Sequence, residues 1–203
     1  MKLNEVPHDI KVAVLGDPGT GKTRLIGLLC KSVPTVVITA DPAGLDTLVG
    51  QEAEPFDVVL LQDWDHIWDY HEAVLKAITS GARAVALDDF GGGQRELRRK
   101  IDLHARDGQE SKMGIEQRRV MVRQQLLLAN RRTLLQGYGE IASATEAWLY
   151  EFLHLPVGFK LVTMLTDVRE HPRTGEDHLF PNITGNLRYD MLADFSLVLN
   201  TFI

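Results

Sequence analysis

An α/β fold, with a mostly parallel central sheet and helices on both faces, is what this sequence predicts, and three observations predict it. Short apolar, β-branched runs alternate along the chain with stretches of helical period. Two of those runs end at acids: Thr35-Val36-Val37-Ile38-Thr39-Ala40 meets Asp41, and Ala84-Val85-Ala86-Leu87 meets Asp88-Asp89. The octet Gly16-Asp17-Pro18-Gly19-Thr20-Gly21-Lys22-Thr23 stands between the first apolar run and the first amphipathic stretch. Alternation at this rhythm requires crossover connections and therefore parallel strands, and such sheets collect ligands at the carboxyl ends of their strands. Asp41, Asp88 and the octet all fall at such ends.

Element by element, Lys11–Leu15 reads as a buried strand and Arg24–Lys31 as a helix turning Leu25, Ile26, Leu28 and Leu29 to a core. Thr35–Ala40 is the second strand and Asp57–Leu61 the third, because continuous Val/Ile/Leu runs suit a sheet covered on both faces. From His66 to Thr79 the spacing of Ile67, Tyr70, Val74, Leu75 and Ile78 predicts a half-buried helix, which also accounts for Trp64 and Trp68 nearby. Ala84–Leu87 is the fourth strand. Gly91-Gly92-Gly93 then reads as a hinge or tight turn, followed by helices over Gln94–Arg106 and Ile115–Gln136 with a polar connector, 107–112, between them. Ile141–Leu155 is amphipathic through Ile141, Trp148, Phe152 and Leu155. Phe159–Leu165 is a core strand ending at Thr166-Asp167, Arg169–Asp177 an exposed hairpin or loop, and Ser196–Thr201 a closing strand.

With 203 residues, 44% of them hydrophobic, the chain suits one domain spanning 1–203 with a helical insertion at about 91–136. That insertion is basic: eleven Lys/Arg, among them Arg95, Arg98, Arg99, Lys100, Arg118, Arg119 and Arg123, face five Asp/Glu, in a chain whose net charge is −6. The remainder is therefore strongly acidic, and a wholly basic nucleic-acid binder is excluded. A single cysteine, Cys30, leaves no disulfide framework or cysteine-based metal site, which suits a reducing cytoplasm. No long apolar stretch follows Met1-Lys2-Leu3-Asn4-Glu5, so neither a signal peptide nor a membrane span is expected. His66, His71, His104, His154, His171 and His178 show no metal-ligand spacing.

The octet matches G-x-x-x-x-G-K-[ST], the P-loop. Its glycines let consecutive N–H groups curl around phosphate oxygens, and the positive end of the following helix adds to the attraction. Gly16, Asp17, Pro18, Gly19, Thr20, Gly21, Lys22 and Thr23 are thus the expected nucleotide-binding residues. Lys22 reaches the β/γ-phosphates and the Thr23 hydroxyl ligates Mg²⁺. Apolar residues running into Asp88 make the Walker B pattern, whose carboxylate holds the same metal, and Asp89 beside it is a candidate second acid or base. Hydrolysis also needs a group to orient water, and Asp41 is that candidate, although Asp41-Pro42-Ala43-Gly44 equally reads as an Asp-Pro turn. The basic insertion offers phosphate-backbone contacts to single-stranded DNA, but it holds no aromatic residue before Tyr138 to stack on bases. Pairing of its arginines with acidic surfaces of this chain or a neighbouring subunit is the alternative.

Taken in order, the P-loop, the acid after the second strand, Walker B, the basic insertion, the strand ending in Thr166-Asp167, the hairpin and Pro181-Asn182-Ile183-Thr184-Gly185 resemble the RecA-like P-loop ATPases. More narrowly they resemble the phage-borne AAA-type nucleotide-binding proteins that include single-strand-annealing recombinases. The likeness runs from about Lys11 to Thr201. It implies an Mg-ATP-dependent ATPase acting on DNA in recombination or replication, in the cytoplasm of a phage-infected or prophage-bearing host. It places the catalytic acid on Asp41, where the family has a longer glutamate, and the γ-phosphate sensor on Thr166 or Asp167. An Asp there departs from the family's amide or histidine and would repel the γ-phosphate unless bridged by Mg²⁺ or turned away. The family's rings and filaments imply a homo-oligomer in which Arg169, Arg173 or Arg188 reaches a neighbour's nucleotide. A nucleotide-dependent assembly switch with little hydrolysis and a small-molecule kinase with a basic lid are the other expectations.

Overall fold

The computed structural model describes residues 9–50, 52, 54–63, 70–99, 137–170, 175, 177–183 and 191–201. Strand β1 (Ile10–Gly16) leads into helix α1 (Lys22–Ser32), followed by β2 (Thr35–Thr39), a 3-10 turn (Pro42–Leu45) with one helical turn after it (α2, Asp46–Val49), and β3 (Asp57–Leu60). Helix α3 (Tyr70–Thr79), β4 (Ala84–Asp88), a helix over 90–99 (α4) and α5 (Gly137–Leu153) come next. The chain closes with β5 (Phe159–Glu170), β6 (Asp177–Pro181) and β7 (Leu197–Thr201). The expected helix over Ile115–Gln136, the 107–112 connector, Trp64, Trp68, Lys100, Arg118, Arg119, Arg123, Arg173 and Arg188 lie outside the described residues.

The fold is α/β with a mostly parallel sheet. Its order is β3-β2-β4-β5-β1-β7, every neighbouring pair parallel, with β6 antiparallel on β5. Alternate residues feed two separate cores, as a doubly covered sheet requires. Val12, Val14, Val37 and Ala86 pack with Ile26 of α1 and Leu48 of α2. Ala13, Leu15, Val36, Ile38, Val85 and Leu87 pack with Tyr70 and Val74 of α3, Phe90 and Leu97 of α4, and Trp148 and Phe152 of α5. At the amino end of the sheet, buried Lys160 donates to Val157 O (2.9 Å) and to Asp9 Oδ1 (2.5 Å), so this charge is paired far from the carboxyl ends of the strands.

Leu28, expected to face a core from α1, is instead 52% exposed, and two larger expectations require correction. Gly91-Gly92-Gly93 is no hinge or turn: all three glycines are buried in the first turns of α4. Gly91 and Gly93 are there because the helix approaches its neighbours too closely at these two positions for side chains. A Cβ on Gly93 would sit 2.0 Å from Cη2 of Trp148, and one on Gly91 3.3 Å from the Asn182 carbonyl. Trp148 in turn stacks on Phe90, the ring centroids 5.0 Å apart and the planes 9° from parallel. Gly93→Ala is expected to cost about 1–3 kcal/mol by overpacking, whereas Gly92→Ala, whose nearest contacts would be 3.5 Å, is tolerated. Urea unfolding of the two variants side by side checks this.

The second correction concerns β5, which does not stop at Thr166-Asp167. Its first half pairs with β4 as far as Val162 and with β1 as far as Leu165, opposite Gly16 where β1 ends. Beyond that point β6 takes over the ladder, pairing Thr166 with Pro181 and Glu170 with Asp177. Backbone groups that would be stranded past the sheet edge are satisfied by this antiparallel ribbon, so the strand continues.

Candidate functional site

Parallel register brings the carboxyl ends of β1, β2, β4 and the middle of β5 to one edge. Gly16 lies opposite Leu165, and Thr39 opposite Asp88. The octet leaves β1 at this edge. Gly19 (φ +82°) and Gly21 (φ +90°) adopt the left-handed conformation that only glycine takes without strain, and Gly21 opens α1 with no side-chain cap. The first-turn N–H groups of α1 are therefore directed at the loop with no acid in that turn to offset them. Gly16 is required for a different reason: a Cβ there would lie 2.0 Å from Oγ1 of Thr201 and 2.5 Å from Oγ1 of Thr20.

Lys22 is 8% exposed, and its Nζ donates to the carbonyls of Gly16 (2.8 Å) and Asp17 (2.7 Å). Burial pushes the ammonium below its ordinary value, and the carboxylates of Asp89, Asp88 and Asp17 oppose that shift. Next to it, the Thr23 hydroxyl donates to Asp88 Oδ2 at 3.0 Å, joining residues 65 positions apart. Buried Asp88 also accepts from Thr163 Oγ1 at 2.5 Å through its other oxygen. Thr163 was not anticipated; its signal is a hydroxyl in the apolar run Leu161-Val162-Thr163-Met164. Thr201 escaped notice too. It donates to Leu15 O (3.0 Å) and shares a hydrogen bond with Thr20 (2.7 Å), tying the last strand to the loop.

Asp89 faces another way. Its carboxylate accepts from the backbone N–H of Gly91 (2.8 Å) and Gly92 (3.3 Å), and its carbonyl from Gly93 N (3.0 Å), so it caps α4. Burial pushes the Asp89 carboxyl above its ordinary 3.8 and Asp88 adds to that, against the Gly91 and Gly92 N–H groups and Arg95. Between the unfolded value and this raised one the folded chain holds more protons than the unfolded chain. Stability therefore falls as pH rises through that window, and the cost persists at neutral pH. Asp89→Asn retains a cap oxygen and removes the charge, so its urea midpoint is expected to lose less than the wild type's between about pH 4 and pH 7.

Asp41 occupies the Asp-Pro turn. Its Oδ1 accepts from Ala43 N (3.1 Å), while the Thr39 hydroxyl bonds its backbone N and O (3.0 and 3.1 Å). Of the Thr166-Asp167 pair, Thr166 reaches the loop, donating to Asp17 Oδ1 at 2.6 Å. Asp167 points to the opposite face of the ribbon, as strand alternation demands. Arg95, Arg98 and Arg99 are exposed on α4, Arg99 paired with Glu96 at 2.9 Å, and Arg169 lies on β5 opposite His178. Among the described residues no group of three or more His, Cys, Asp or Glu is arranged to hold a metal by itself. Nor is any helix among them long and apolar enough to cross a membrane.

No protein-family model and no curated protein matches this sequence.

Proposed function

We propose that the chain is a RecA-like P-loop ATPase that binds Mg-ATP and hydrolyses it in a DNA transaction of recombination or replication. The observation that carries the reading is the contact of Thr23 Oγ1 with Asp88 Oδ2 at the mouth of a glycine-rich loop opening an uncapped helix. A hydroxyl and a carboxylate are hard oxygen donors, and two of them suit Mg²⁺, which completes its shell with phosphate and water. Held there, the ion supplies charge neutralisation at the phosphoryl oxygens. The loop N–H groups and Lys22 bind the phosphates, Thr163 fixes the Asp88 rotamer, and the Thr166 hydroxyl stands on the strand between the loop and Asp88. Asp41 is the proposed acid for the attacking water.

Consecutive residues connect this site to the basic segment: Asp88 closes the Thr23 contact and Asp89 caps the helix bearing Arg95, Arg98 and Arg99. That adjacency supports a nucleotide-controlled contact with single-stranded DNA, extended through Lys100, Arg118, Arg119 and Arg123. By the family resemblance the working form is a homo-oligomeric ring or filament. A second reading, a nucleotide-dependent assembly switch with little turnover, is favoured by one observation: the carboxylates of Asp41 and Asp89 both serve as backbone caps.

ATP hydrolysis with Mg²⁺, measured alone and with single-stranded and duplex DNA, separates the two. DNA-stimulated turnover that disappears in Lys22→Ala supports the ATPase. Nucleotide binding without turnover under every DNA condition supports the switch, and no nucleotide binding at all overturns both.

A further inference from the structure

We propose that Asp17 makes nucleotide binding conditional on the divalent cation: its carboxylate, clamped on the rim of the loop by Thr166, opposes a bare polyphosphate and admits a metal-bound one. This inference rests on the reading of Gly16–Thr23 as a nucleotide-binding loop. A cradle built from backbone N–H groups and a lysine gains nothing from an acid in its second position. Asp17 acts against the attraction that the rest of the loop provides.

The carboxylate is no loose surface group. Its Oδ1 accepts from Thr166 Oγ1 at 2.6 Å, and Thr166 is fixed where β5 leaves the parallel sheet and enters the ribbon. The Asp17 carbonyl accepts from Lys22 Nζ (2.7 Å), Thr20 Oγ1 (2.9 Å) and Thr20 N (3.3 Å), so the backbone of the residue is held too. Its negative charge acts on the Lys22 ammonium, as do those of Asp88 and Asp89.

Three carboxylates, Asp17, Asp88 and Asp89, thus surround one ammonium. Asp88 is engaged by the Thr23 and Thr163 hydroxyls, and Asp89 by the Gly91 and Gly92 N–H groups at the cap of α4. Asp17 is the charge left facing the phosphates. For a fully ionised triphosphate it adds repulsion, and neutralising two of those charges with Mg²⁺ removes much of it. Thr166 is a positioning residue in this scheme: without its hydroxyl the exposed carboxylate can rotate into water, where its field is screened.

The test is equilibrium binding of a fluorescent ATP analogue to the full chain, in excess Mg²⁺ and in excess EDTA. The readout is the ratio of the two dissociation constants. Asp17→Asn, which keeps an oxygen for Thr166, is expected to lower the preference for the metal-bound form about tenfold. Thr166→Ala shifts it in the same direction, and Thr166→Ser restores the wild-type ratio. An unchanged ratio in Asp17→Asn, with Mg-dependent binding intact in the wild type, overturns the inference and leaves the functional reading standing. Equally tight binding in Mg²⁺ and EDTA by the wild type likewise overturns the inference alone, whereas no binding in either condition overturns the functional reading itself.

Discussion

Lys22→Ala is expected to lower kcat/KM for Mg-ATP about a thousandfold, the loss typical of removing one preorganised group from developing transition-state charge. Several features make this residue hard to replace. It begins α1, so its Cα position is set by the helix, and its side chain folds back over the loop to contact the Gly16 and Asp17 carbonyls. The side chain is largely covered by the loop, which reduces the screening of its charge and strengthens its interaction with an anion. Lys22→Arg keeps the charge but must fit a planar fork among those two carbonyls, so it is expected to recover little activity. Phosphate release against ATP concentration, together with a melting curve for each variant, separates lost chemistry from lost fold. Lys22→Ala activity within tenfold of wild type would remove the nucleotide assignment from this loop.

Trp148→Ala is expected to cost about 3–5 kcal/mol, the range for truncating a fully buried aromatic residue, and to lower Tm by roughly 10 °C in a domain of this size. Trp148 is 0% exposed; it stacks on Phe90, meets Tyr70 edge-on at 6.3 Å and fills the space that Gly93 leaves open. Truncation leaves a void against α3 and α4, and the glycine helix cannot collapse to fill it with side chains it lacks. Trp148→Phe retains most of the stack and is expected to lose less than half as much. Because the same contact seats α4, whose first residues Asp89 caps, the Ala variant is also expected to weaken any DNA stimulation more than it weakens Mg-ATP binding. Denaturant unfolding checks the first expectation, and a loss below about 1 kcal/mol would show that the site relaxes freely.

The octet, its flanking strand and helix, and Asp88 were legible in the sequence because each is a local pattern. Glycines must stand where φ is positive, as they do at Gly19 and Gly21, and an apolar run must end before an acid. Asp41 was legible as a turn former for the same local reason. The triple glycine was misread because Gly-rich segments between elements usually mark turns, whereas here Gly93 is required by Trp148, more than fifty residues away, and Gly91 by the Asn182 carbonyl. Continuation of β5 past Asp167 was hidden as well, since its hydrogen-bond partners belong to a strand not yet encountered along the chain.

By itself, then, the sequence determined the α/β alternation, the glycine-rich loop at a strand end and the acid that faces it, all of them products of short-range sterics and periodicity. The order of the strands was decided only by tertiary structure. With it came the insertion of β5 between β1 and β4, and the hydroxyls of Thr163, Thr166 and Thr201 gathered around Asp88, Asp17 and Thr20. The hydroxyl contacts of Thr23, Thr163, Thr166 and Thr201 join residues from 65 to 186 positions apart. Strand pairing and the packing of two cores create them, and no window along the chain contains both partners.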